Sequence, residues 1–345
     1  MTWIEPLLTW YGSAARDLPW RRTRDAYAVW VSEIMLQQTR VTAVLPYYAR
    51  WMAALPDVHA LAKVDDEALH KLWEGLGYYS RARHLKEAAI AIEERFAGQV
   101  PLTYEELLTL PGVGDYTAGA VASIAGNQPV PAVDGNVLRV YARLYGDSRD
   151  VSDTKTRTAV REALLAILPN DRPGTFNQAM MELGATVCLP NGKPNCESCP
   201  VSPFCEGYRT GQAEALPVKK PKKQRRVEEK TVFALERDGA VLSLRRPETG
   251  LLAGLWQLPE TEGLLTASQA AEQLARWGLT PVGDLLFYRR KHVFTHVEWH
   301  MQVCAAAVTG ETLPPGWVPL KEEYALPTAY RVCMREDVPL SKGDS

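Results

Sequence analysis

The chain has 345 residues, which exceeds a single usual core and fits two domains. Its net charge of −2 and its pI of about 6.3 argue against a surface that is basic throughout, so any nucleic-acid-binding surface must be local. The start of the chain carries no secretory signal and no long apolar run follows, so we expect a cytoplasmic protein without a membrane-spanning segment.

The first informative element is an apolar helical run over 29–39 with one acidic residue inside it. Ile34, Gln37 and Gln38 surround Glu33 at helical spacing. A carboxyl group in apolar surroundings has a raised pKa and can act as a general acid near neutral pH. The pattern alone nevertheless favours a solvated glutamate on an amphipathic helix, because glutamate is seldom buried.

A glycine turn connects two further apolar helical runs, at 104–108 and 118–124. Gly112 and Gly114 lie in this turn, and we expect a hairpin so tight that only glycines fit its backbone. The second helix would begin with free amide groups at its positive end, which suits a DNA phosphate contacted without reading sequence. An ordinary connection between helices is the alternative, because glycine turns are common.

A second acidic residue follows twenty residues after Gly114. Asp134 lies in a Val-Asp-Gly-Asn turn, where aspartate is often only a turn former that binds its own backbone. A catalytic role for it requires a partner acid, and the best candidate is Glu33.

Four cysteines fall within eighteen residues in the pattern C-x7-C-x2-C-x5-C. In a cytosolic chain such clustered thiols are more plausibly metal ligands than disulfides. Zinc and a [4Fe–4S] cluster both take four thiolates, and the single short pair with two longer arms favours iron–sulfur. The four candidate ligands are Cys188, Cys196, Cys199 and Cys205.

The composition changes after the cysteine loop. A proline-broken basic run over 219–226 is typical of a linker that can lie along a DNA backbone, and a merely solvated tether is the alternative. Apolar runs at 231–235 and 240–244 flank Asp238-Gly239 and predict a pair of strands. We therefore expect a mixed α/β module over residues 230–335.

In their order along the chain these motifs resemble the helix-hairpin-helix DNA glycosylases of the endonuclease III superfamily, and within it the MutY family of adenine DNA glycosylases. The resemblance covers nearly the whole chain and is carried by 18–21, 31–39, 73–83, 110–117, 133–136 and 181–185. One departure is the first cysteine gap, which has seven residues where the family usually has six.

The resemblance implies a mostly α N-terminal helix-hairpin-helix glycosylase domain with a four-cysteine iron–sulfur loop, followed by an α+β Nudix-like C-terminal domain. The expected bounds are 1–209 for the glycosylase domain, with the cysteine loop at 188–205, then 210–229 for the basic linker, 230–337 for the Nudix-like recognition domain and 338–345 for a tail. Gly254 and Glu260 keep the first spacing of a Nudix box, but the rest of the box is missing. We therefore expect no pyrophosphate hydrolysis.

The resemblance also implies an activity, namely excision of adenine mispaired with 8-oxoguanine or guanine in duplex DNA during base excision repair. The base is flipped out, and its N-glycosidic bond is hydrolysed with acid assistance. Glu33 matches the general acid, Asp134 matches the ionised partner that stabilises the sugar cation, and Tyr116 and Asn136 match their supporting neighbours. Relatives that also cut the strand use a lysine where this chain has Tyr116, so we expect a monofunctional enzyme.

Further roles follow from the same resemblance. It implies one [4Fe–4S] cluster on the four cysteines, a monomer, and a bacterial protein held at the nucleoid through DNA. The residues expected to contact DNA are Trp20, Arg21 and Glu182 in the adenine pocket, Gln37, Gln38 and Thr39 in the base stack, Leu76 and Tyr78 beside the oxidised guanine, Gly112 and Gly114 at a phosphate, and Phe294, Thr295 and His296 in a loop that reads 8-oxoguanine.

The sequence alone leaves open a purely structural role for some of these residues. Tyr78 with Trp73 and Tyr79 could be core aromatics of a helical domain, and His296 could be a buried structural histidine. For the whole chain the alternatives are a bifunctional glycosylase acting on pyrimidine lesions and a non-enzymatic iron–sulfur protein.

Overall fold

The computed structural model describes residues 2–220 and 224–334, and the chain forms two compact units. The first unit comprises Met1–Val64 and Arg83–Pro221, and the second comprises Asp65–Ala82 and Lys222–Ser345. The predicted domain bounds stay predictions. Residues 221–223 of the predicted linker, 335–337 of the predicted recognition domain and the predicted tail 338–345 lie outside the described residues.

Helices dominate the first unit and strands the second. In the described part of the chain the α-helices are α1 (Ile4–Ala14), α2 (Ala26–Leu36), α3 (Val41–Ala54), α4 (Val58–Lys63), α5 (Asp66–Trp73), α6 (Ser80–Phe96), α7 (Tyr104–Leu107), α8 (Asp115–Ile124), α9 (Gly135–Tyr145), α10 (Thr154–Leu165), α11 (Pro173–Thr186), α12 (Glu206–Arg209), α13 (Ala267–Arg276) and α14 (Thr328–Arg331). The strands are β1 (Arg226–Arg237), β2 (Ala240–Arg245), β3 (Trp256–Gln257), β4 (Glu260–Glu262), β5 (Thr280–Val293), β6 (Val297–Thr309) and β7 (Trp317–Pro319).

Aspartate caps define where several helices of the first unit begin. The Asp25 carboxylate accepts hydrogen bonds from the first amides of α2, at 3.2 Å from Tyr27 N and 3.4 Å from Ala28 N. Such a cap satisfies amides that have no partner inside the helix and typically contributes about 1 kcal/mol. These caps fix the start of α2 and, as shown below, of α9, the two helices that present the acidic residues of the site.

One hydrophobic core of the first unit lies where α9, α11 and α1 meet. Its fully or almost fully buried side chains include Leu7 from α1, Val140 from α9 and Phe176 and Leu183 from α11. The same core reaches the cysteine segment through Val187 and Val201. The cysteine segment is therefore packed onto the helices that shape the site.

The second unit is built on a mixed sheet with the strand order β3-β2-β1-β6-β5. The two central strands, β1 and β6, pair in parallel, while β5 pairs antiparallel with β6 at one edge. The helix α13 packs on one face through Ala270 and Leu274, and Trp299 and Tyr330 fill the other. This helix-and-strand architecture confirms the predicted α+β module.

The predicted strand pair is confirmed, with longer strands than the apolar runs indicated. Arg237 pairs with Ala240, so Asp238 and Gly239 form a two-residue hairpin turn. Both have positive φ, at 53° and 79°, as the type I′ turn favoured by right-twisted strands requires. In residues 2–220 and 224–334, no helix combines the length and the apolar character needed to cross a bilayer.

Candidate active site

A pocket of about 750 Å³ lies in the first unit. Segments that are far apart in the sequence line it, because α2, α8, α9 and α11 converge there. The structure brings these sequence-predicted residues to its wall: Trp20, Arg21, Glu33, Gln37, Gln38, Thr39, Tyr116, Asp134, Asn136 and Glu182.

Glu33 is buried, with only 5% of its surface exposed. The solvated position that the pattern alone favoured is therefore wrong. The pKa of the Glu33 carboxyl is raised to about 7, mainly by burial and also by the charge of Asp134, and the Tyr116 hydrogen bond and the charge of Arg21 partly oppose the rise. The helix α2 is buried all round from 27 to 35, so Glu33 has no solvated face to occupy.

Asp134 has a different local environment, because it caps α9. Its carboxylate accepts from Val137 N at 2.8 Å and from Asn136 Nδ2 at 2.7 Å. Burial raises the pKa of Asp134, and these hydrogen bonds and the charge of Arg139 offset only part of that rise. Asp134 is thus a turn former and helix cap, as the simpler interpretation had it, and it also lines the pocket.

Tyr116 connects α8 to Glu33. Its hydroxyl donates a hydrogen bond to Glu33 Oε2 and lies 3.2 Å from Met181 Sδ. Burial and the two nearby carboxylates raise the pKa of Tyr116 well above its ordinary value, so the side chain remains a neutral donor. Tyr116 thereby holds the carboxyl group of Glu33 in one orientation.

Glu182 provides a fixed negative charge at the pocket wall. It is fully buried and accepts from two arginines, with Arg16 Nε and Arg21 Nη2 each at 2.7 Å. Burial acts to raise the pKa of Glu182, but the hydrogen bonds from Arg16 and Arg21 outweigh it and lower the value to about 2. Arg21 is therefore held by an ion pair rather than free to move.

Two residues at this site escaped the sequence reasoning about the pocket. Arg16 was not among the residues predicted for the pocket, yet it is the main partner of Glu182. Gln178 lines the pocket and accepts from Tyr11 Oη at 3.2 Å. The sequence did contain a signal for Gln178. It lies three residues before Met181 and four before Glu182 on one helix, and positions with this spacing share a helix face.

Arg139 connects the Asp134 turn to the cysteine segment. Its Nη2 donates to Asn136 Oδ1 at 2.8 Å and to Gly184 O at 2.6 Å, and its Nε donates to Cys188 O at 2.7 Å. No motif in the sequence pointed to this residue. It sits one turn into α9 from Asn136, so helical spacing places both on the same face.

The four predicted ligands, Cys188, Cys196, Cys199 and Cys205, line one small and almost wholly apolar cavity. Burial and the neighbouring thiols raise the pKa values of Cys196, Cys199 and Cys205. Arg143 Nη1 lies 3.3 Å from Cys188 Sγ. In the described residues, no group of three or more histidine, cysteine, aspartate or glutamate side chains is placed to hold a single metal ion.

The donor set nevertheless fits an iron–sulfur cluster. Four thiols at one largely apolar cavity are the soft donors that such clusters take, and the Arg143 guanidinium beside Cys188 would offset part of their negative charge. The seven-residue gap after Cys188 is accommodated by a backbone hydrogen bond of 3.0 Å from Asn195 N to Val187 O. The extra residue therefore does not remove Cys196 from the cavity.

The predicted hairpin connects α7 to α8. Gly112 has φ +71°, and a Cβ there would come within 2.5 Å of His84 Cβ, so this position requires glycine. Gly114 has an extended backbone with φ −102°, and a Cβ there would meet nothing within 4 Å. The expectation that both positions exclude a side chain is wrong for Gly114. Gly114 instead caps α8 without a side chain and leaves the helix terminus open.

A second group of predicted residues lies in the second unit. Tyr78 is 45% exposed, while Leu76, Trp73 and Tyr79 are buried, so the core-aromatic interpretation fails only for Tyr78. The Tyr78 hydroxyl shares a hydrogen bond of 2.8 Å with Thr295 Oγ1.

The loop between β5 and β6 carries the rest of that group. Thr295 and His296 are exposed, which excludes the buried structural role considered for His296. Phe294 packs against His292 and Trp299, with ring centroids 4.5 and 4.8 Å away. A hydrogen bond of 2.9 Å from Phe294 N to Val297 O closes the turn.

Acidic side chains on and next to α5 anchor this helix to the same unit. Glu67 accepts from Trp256 Nε1 at 2.6 Å, and Glu74 accepts from Leu326 N at 2.9 Å and pairs with Arg331. These contacts explain why residues 65–82 group with the C-terminal sheet.

The Nudix-box glutamate is surrounded by cations. Glu260 Oε1 lies 2.8 Å from Lys230 Nζ and 3.3 Å from Arg246 Nη1, and Glu260 Oε2 accepts from Tyr330 at 2.8 Å. Protein groups therefore engage both oxygens of the Glu260 carboxylate.

The helical unit, its glycine hairpin and its paired acids define a helix-hairpin-helix base-excision DNA glycosylase. Residues 31–167 match the family described as HhH-GPD superfamily base excision DNA repair protein, and residues 231–336 match the NUDIX domain. A thermostable thymine-DNA glycosylase structure has a TM-score of 0.55 and 30% identity, covering 60% of this chain and 95% of that one. An endonuclease III–DNA covalent intermediate has a TM-score of 0.52 and 26% identity, covering 60% of this chain and 94% of that one.

Proteins with similar sequences narrow the assignment of this chain from DNA glycosylases in general to one family. The adenine DNA glycosylase of Homo sapiens is 37% identical over 402 residues, covering 95% of this chain and 72% of the human protein. The enzyme of that name from Mus musculus is 37% identical over 399 residues, covering 95% of this chain and 76% of its own length. The chain therefore belongs to the adenine DNA glycosylase family, enzymes of base excision repair.

Proposed function

We propose that the enzyme excises adenine paired with 8-oxoguanine or guanine in duplex DNA, and that it hydrolyses the N-glycosidic bond without cutting the strand. The observation that carries this proposal is the pair of acids in one pocket. Burial keeps a proton on Glu33 near neutral pH, while Asp134 receives hydrogen bonds that favour its ionised form. Two carboxyl groups with opposite protonation are what acid-assisted glycoside cleavage requires.

The reaction begins with a flipped base, because an adenine inside a duplex cannot be reached. A pocket of about 750 Å³ offers room for a purine and its sugar. Glu33 then protonates the departing base, and the C–N bond breaks as positive charge develops on the sugar. Asp134 stabilises that cation electrostatically, and the ionised Glu33 takes a proton from the attacking water.

The neighbouring residues keep the two acids in these roles. Tyr116 donates to Glu33 Oε2 and thereby leaves Oε1 for the base or the water. Asn136 donates to Asp134, and Arg139 in turn fixes the Asn136 amide. Fixed donors of this kind stabilise developing charge without reorganising during the reaction.

A strand-cutting mechanism of the kind that bifunctional relatives use needs an amine nucleophile that forms a Schiff base. No lysine belongs to the pocket wall formed by the described residues, and Tyr116 occupies the position of the Schiff-base lysine in bifunctional relatives. The raised pKa of Tyr116 keeps it a donor rather than a nucleophile. We therefore assign the enzyme a monofunctional reaction.

Recognition of the opposite base falls to Tyr78, Thr295 and His296 in the second unit. Tyr78 offers an exposed ring that can enter a base step, and Thr295 offers a hydroxyl beside it. Phosphate contacts fall to the open terminus of α8 at Gly114, where free amides meet the positive end of the helix dipole.

The four cysteines would hold one [4Fe–4S] cluster, which supplies a covalent cross-link for a segment that has little regular structure. The segment packs on α9 through Arg139 and Arg143, so its role is structural. It also presents the exposed Lys193 as a candidate phosphate contact. We expect the enzyme to work as a monomer on duplex DNA.

Single-turnover base release tests the proposal. Duplexes with adenine opposite 8-oxoguanine, guanine or thymine are mixed with excess wild-type enzyme, Glu33→Gln or Glu94→Gln. Glu94 is an exposed glutamate on α6, so its variant controls for the loss of one carboxylate. We expect rapid release opposite 8-oxoguanine, slower release opposite guanine, and loss of both in Glu33→Gln alone.

Several outcomes would contradict the proposed function or one part of it. Equal rates opposite 8-oxoguanine and thymine would remove the proposed mispair, and full activity in Glu33→Gln would remove the proposed acid. Near-stoichiometric borohydride trapping on DNA would show a Schiff base and hence a bifunctional enzyme. Purified protein without iron and labile sulfide would refute the cluster.

A further inference from the structure

The loop between α5 and α6 carries the exposed Tyr78 ring on an unusual backbone. Gly75, Gly77 and Tyr78 have positive φ values of 99°, 71° and 48°. Glycine adopts such values freely, whereas a residue with a side chain is disfavoured there by local steric contacts. Tyr78 therefore needs support from the surrounding structure to keep its conformation.

Arg81 lies beneath this loop and is 8% exposed. Its Nη2 donates to Gly77 O at 3.1 Å and to Leu76 O at 3.3 Å. The two carbonyls belong to the residues that immediately precede Tyr78. These two hydrogen bonds from the guanidinium thus stabilise the backbone that leads into the strained residue Tyr78.

The same guanidinium contacts two aromatic rings. Its Cζ lies 5.1 Å from the ring centroid of Trp73 and 5.5 Å from that of Tyr78. Trp73 is fully buried and donates from Nε1 to Gly77 O at 3.0 Å. The buried Trp73 therefore fixes the position of Arg81, and Arg81 in turn holds the Tyr78 ring through a cation–π contact.

We propose that Arg81 is a positioning residue that sets the Tyr78 ring for its contact with the base opposite adenine, an inference that rests on the proposed function. Tyr78 is then held at three points: its backbone and ring by Arg81, and its hydroxyl by Thr295. Without Arg81 the hydroxyl contact alone must hold a strained backbone.

Arg81 keeps its charge although it is removed from water. Burial lowers the pKa of Arg81 to about 10, so the side chain stays cationic at neutral pH. A buried cation is stable only where acceptors and ring faces replace water. The Leu76 and Gly77 carbonyls and the two rings supply that replacement, which makes the arrangement specific for a planar guanidinium.

The test compares Arg81→Met and Arg81→Lys with wild type. Methionine fills the space without charge, and lysine keeps the charge but loses the planar fork. Arg95→Met is the matched control, because Arg95 lies on the same helix, 5.1 Å from the Phe96 ring centroid, and donates to Thr109 O at 3.4 Å. The readout is the ratio of single-turnover adenine release opposite 8-oxoguanine to release opposite guanine.

We expect Arg81→Met to lower this ratio about tenfold and Arg81→Lys to restore part of it. Arg95→Met should leave it unchanged. In a Tyr78→Ala background, Arg81→Met should add nothing, because a residue that acts only through Tyr78 has no separate effect. A purely structural role would instead add its loss to that of Tyr78→Ala.

A second readout does not depend on the mispair preference. With a non-cleavable adenine analogue, 2-aminopurine beside the opposite base brightens when Tyr78 unstacks that step, and Arg81→Met should reduce the signal. Wild-type enzyme with equal rates opposite 8-oxoguanine and guanine would overturn the proposed mispair preference alone. Wild-type fluorescence in Arg81→Met, or additive losses in the double variant, would overturn the role of Arg81.

Discussion

Replacing Glu33 by glutamine should stabilise the enzyme, and should do so more at high pH. The buried Glu33 carboxyl has a pKa of about 7 against its ordinary value of 4.5. Because the folded-state pKa lies above the unfolded one, the folding free energy carries no penalty below pH 4.5. The penalty grows between the two values and is complete once the pH has passed about 7.

The magnitude follows from the shift of 7 − 4.5 = 2.5 pKa units. At 1.36 kcal/mol per unit the full penalty is about 3 kcal/mol, of which about 2 kcal/mol develops between pH ~5.5 and pH ~8.5. Glutamine cannot ionise, and its amide oxygen still accepts from Tyr116. Other effects of the substitution on the free energy of unfolding do not depend on pH. They therefore cancel when the difference between variant and wild type is compared at two pH values.

Thermal unfolding at these two pH values measures the effect. The melting temperature of Glu33→Gln minus that of wild type should be higher at pH ~8.5 by roughly 5 °C. The exposed Glu94→Gln variant provides the baseline for loss of a carboxylate. A difference that stays constant with pH would show that Glu33 ionises normally, and the assignment of Glu33 as the acid near neutral pH would fall with it.

Three further predictions concern catalysis, the cysteine segment and the hairpin. Base release should fall about tenfold per pH unit above pH 7 as Glu33 loses its proton, and a flat pH–rate profile would contradict this. Arg139→Met should slow base release at least tenfold and lower the iron content of the purified protein, because it leaves buried acceptors unpaired, whereas Glu33→Gln should keep its iron. Gly112→Ala should unfold at lower temperature because of its clash with His84, whereas Gly114→Ala should fold normally but bind duplex DNA more weakly in a salt titration.

Sequence reasoning worked where local chemistry decides the structure. The turn at Asp238-Gly239 needs positive φ at both residues, so this dipeptide between two apolar runs located the β1–β2 hairpin. The four cysteines were found by spacing, and the structure places them at one cavity. In both cases the signal lies within a few residues of the feature that it predicts.

The burial of Glu33 could not be read from the sequence. A helix that faces solvent on one side shows an apolar stripe, but α2 is enclosed on all sides over 27–35 and has no polar face to compare with. Its environment is set by Tyr116 on α8 and Asp134 ahead of α9, about 80 and 100 residues away.

The grouping of residues 65–82 with the C-terminal sheet was equally hidden. It depends on hydrogen bonds from Trp256 to Glu67 and from Leu326 to Glu74, which join positions more than 180 residues apart. Acidic residues on and next to a short helix give no indication of such partners. This grouping places Tyr78 beside Thr295 within one unit, which no motif in the sequence showed.

The opposite roles proposed for the two acids follow from their places on the backbone. Both are withdrawn from water, and burial alone raises the pKa of each. Asp134 precedes a helix, so the amide of Val137 and the positive end of α9 favour its ionised form. Glu33 lies inside a helix, where the backbone amides bond within the helix, and among the described residues its carboxyl group receives a hydrogen bond from the Tyr116 hydroxyl. The ionised Asp134 then disfavours a second negative charge and helps to keep the proton on Glu33. Placing aspartate at position 33 and glutamate at position 134 would therefore not exchange the two roles. The position on the backbone, inside a helix or at its start, determines which carboxyl group acts as the acid and which as the stabilising anion, and the length of the side chain does not.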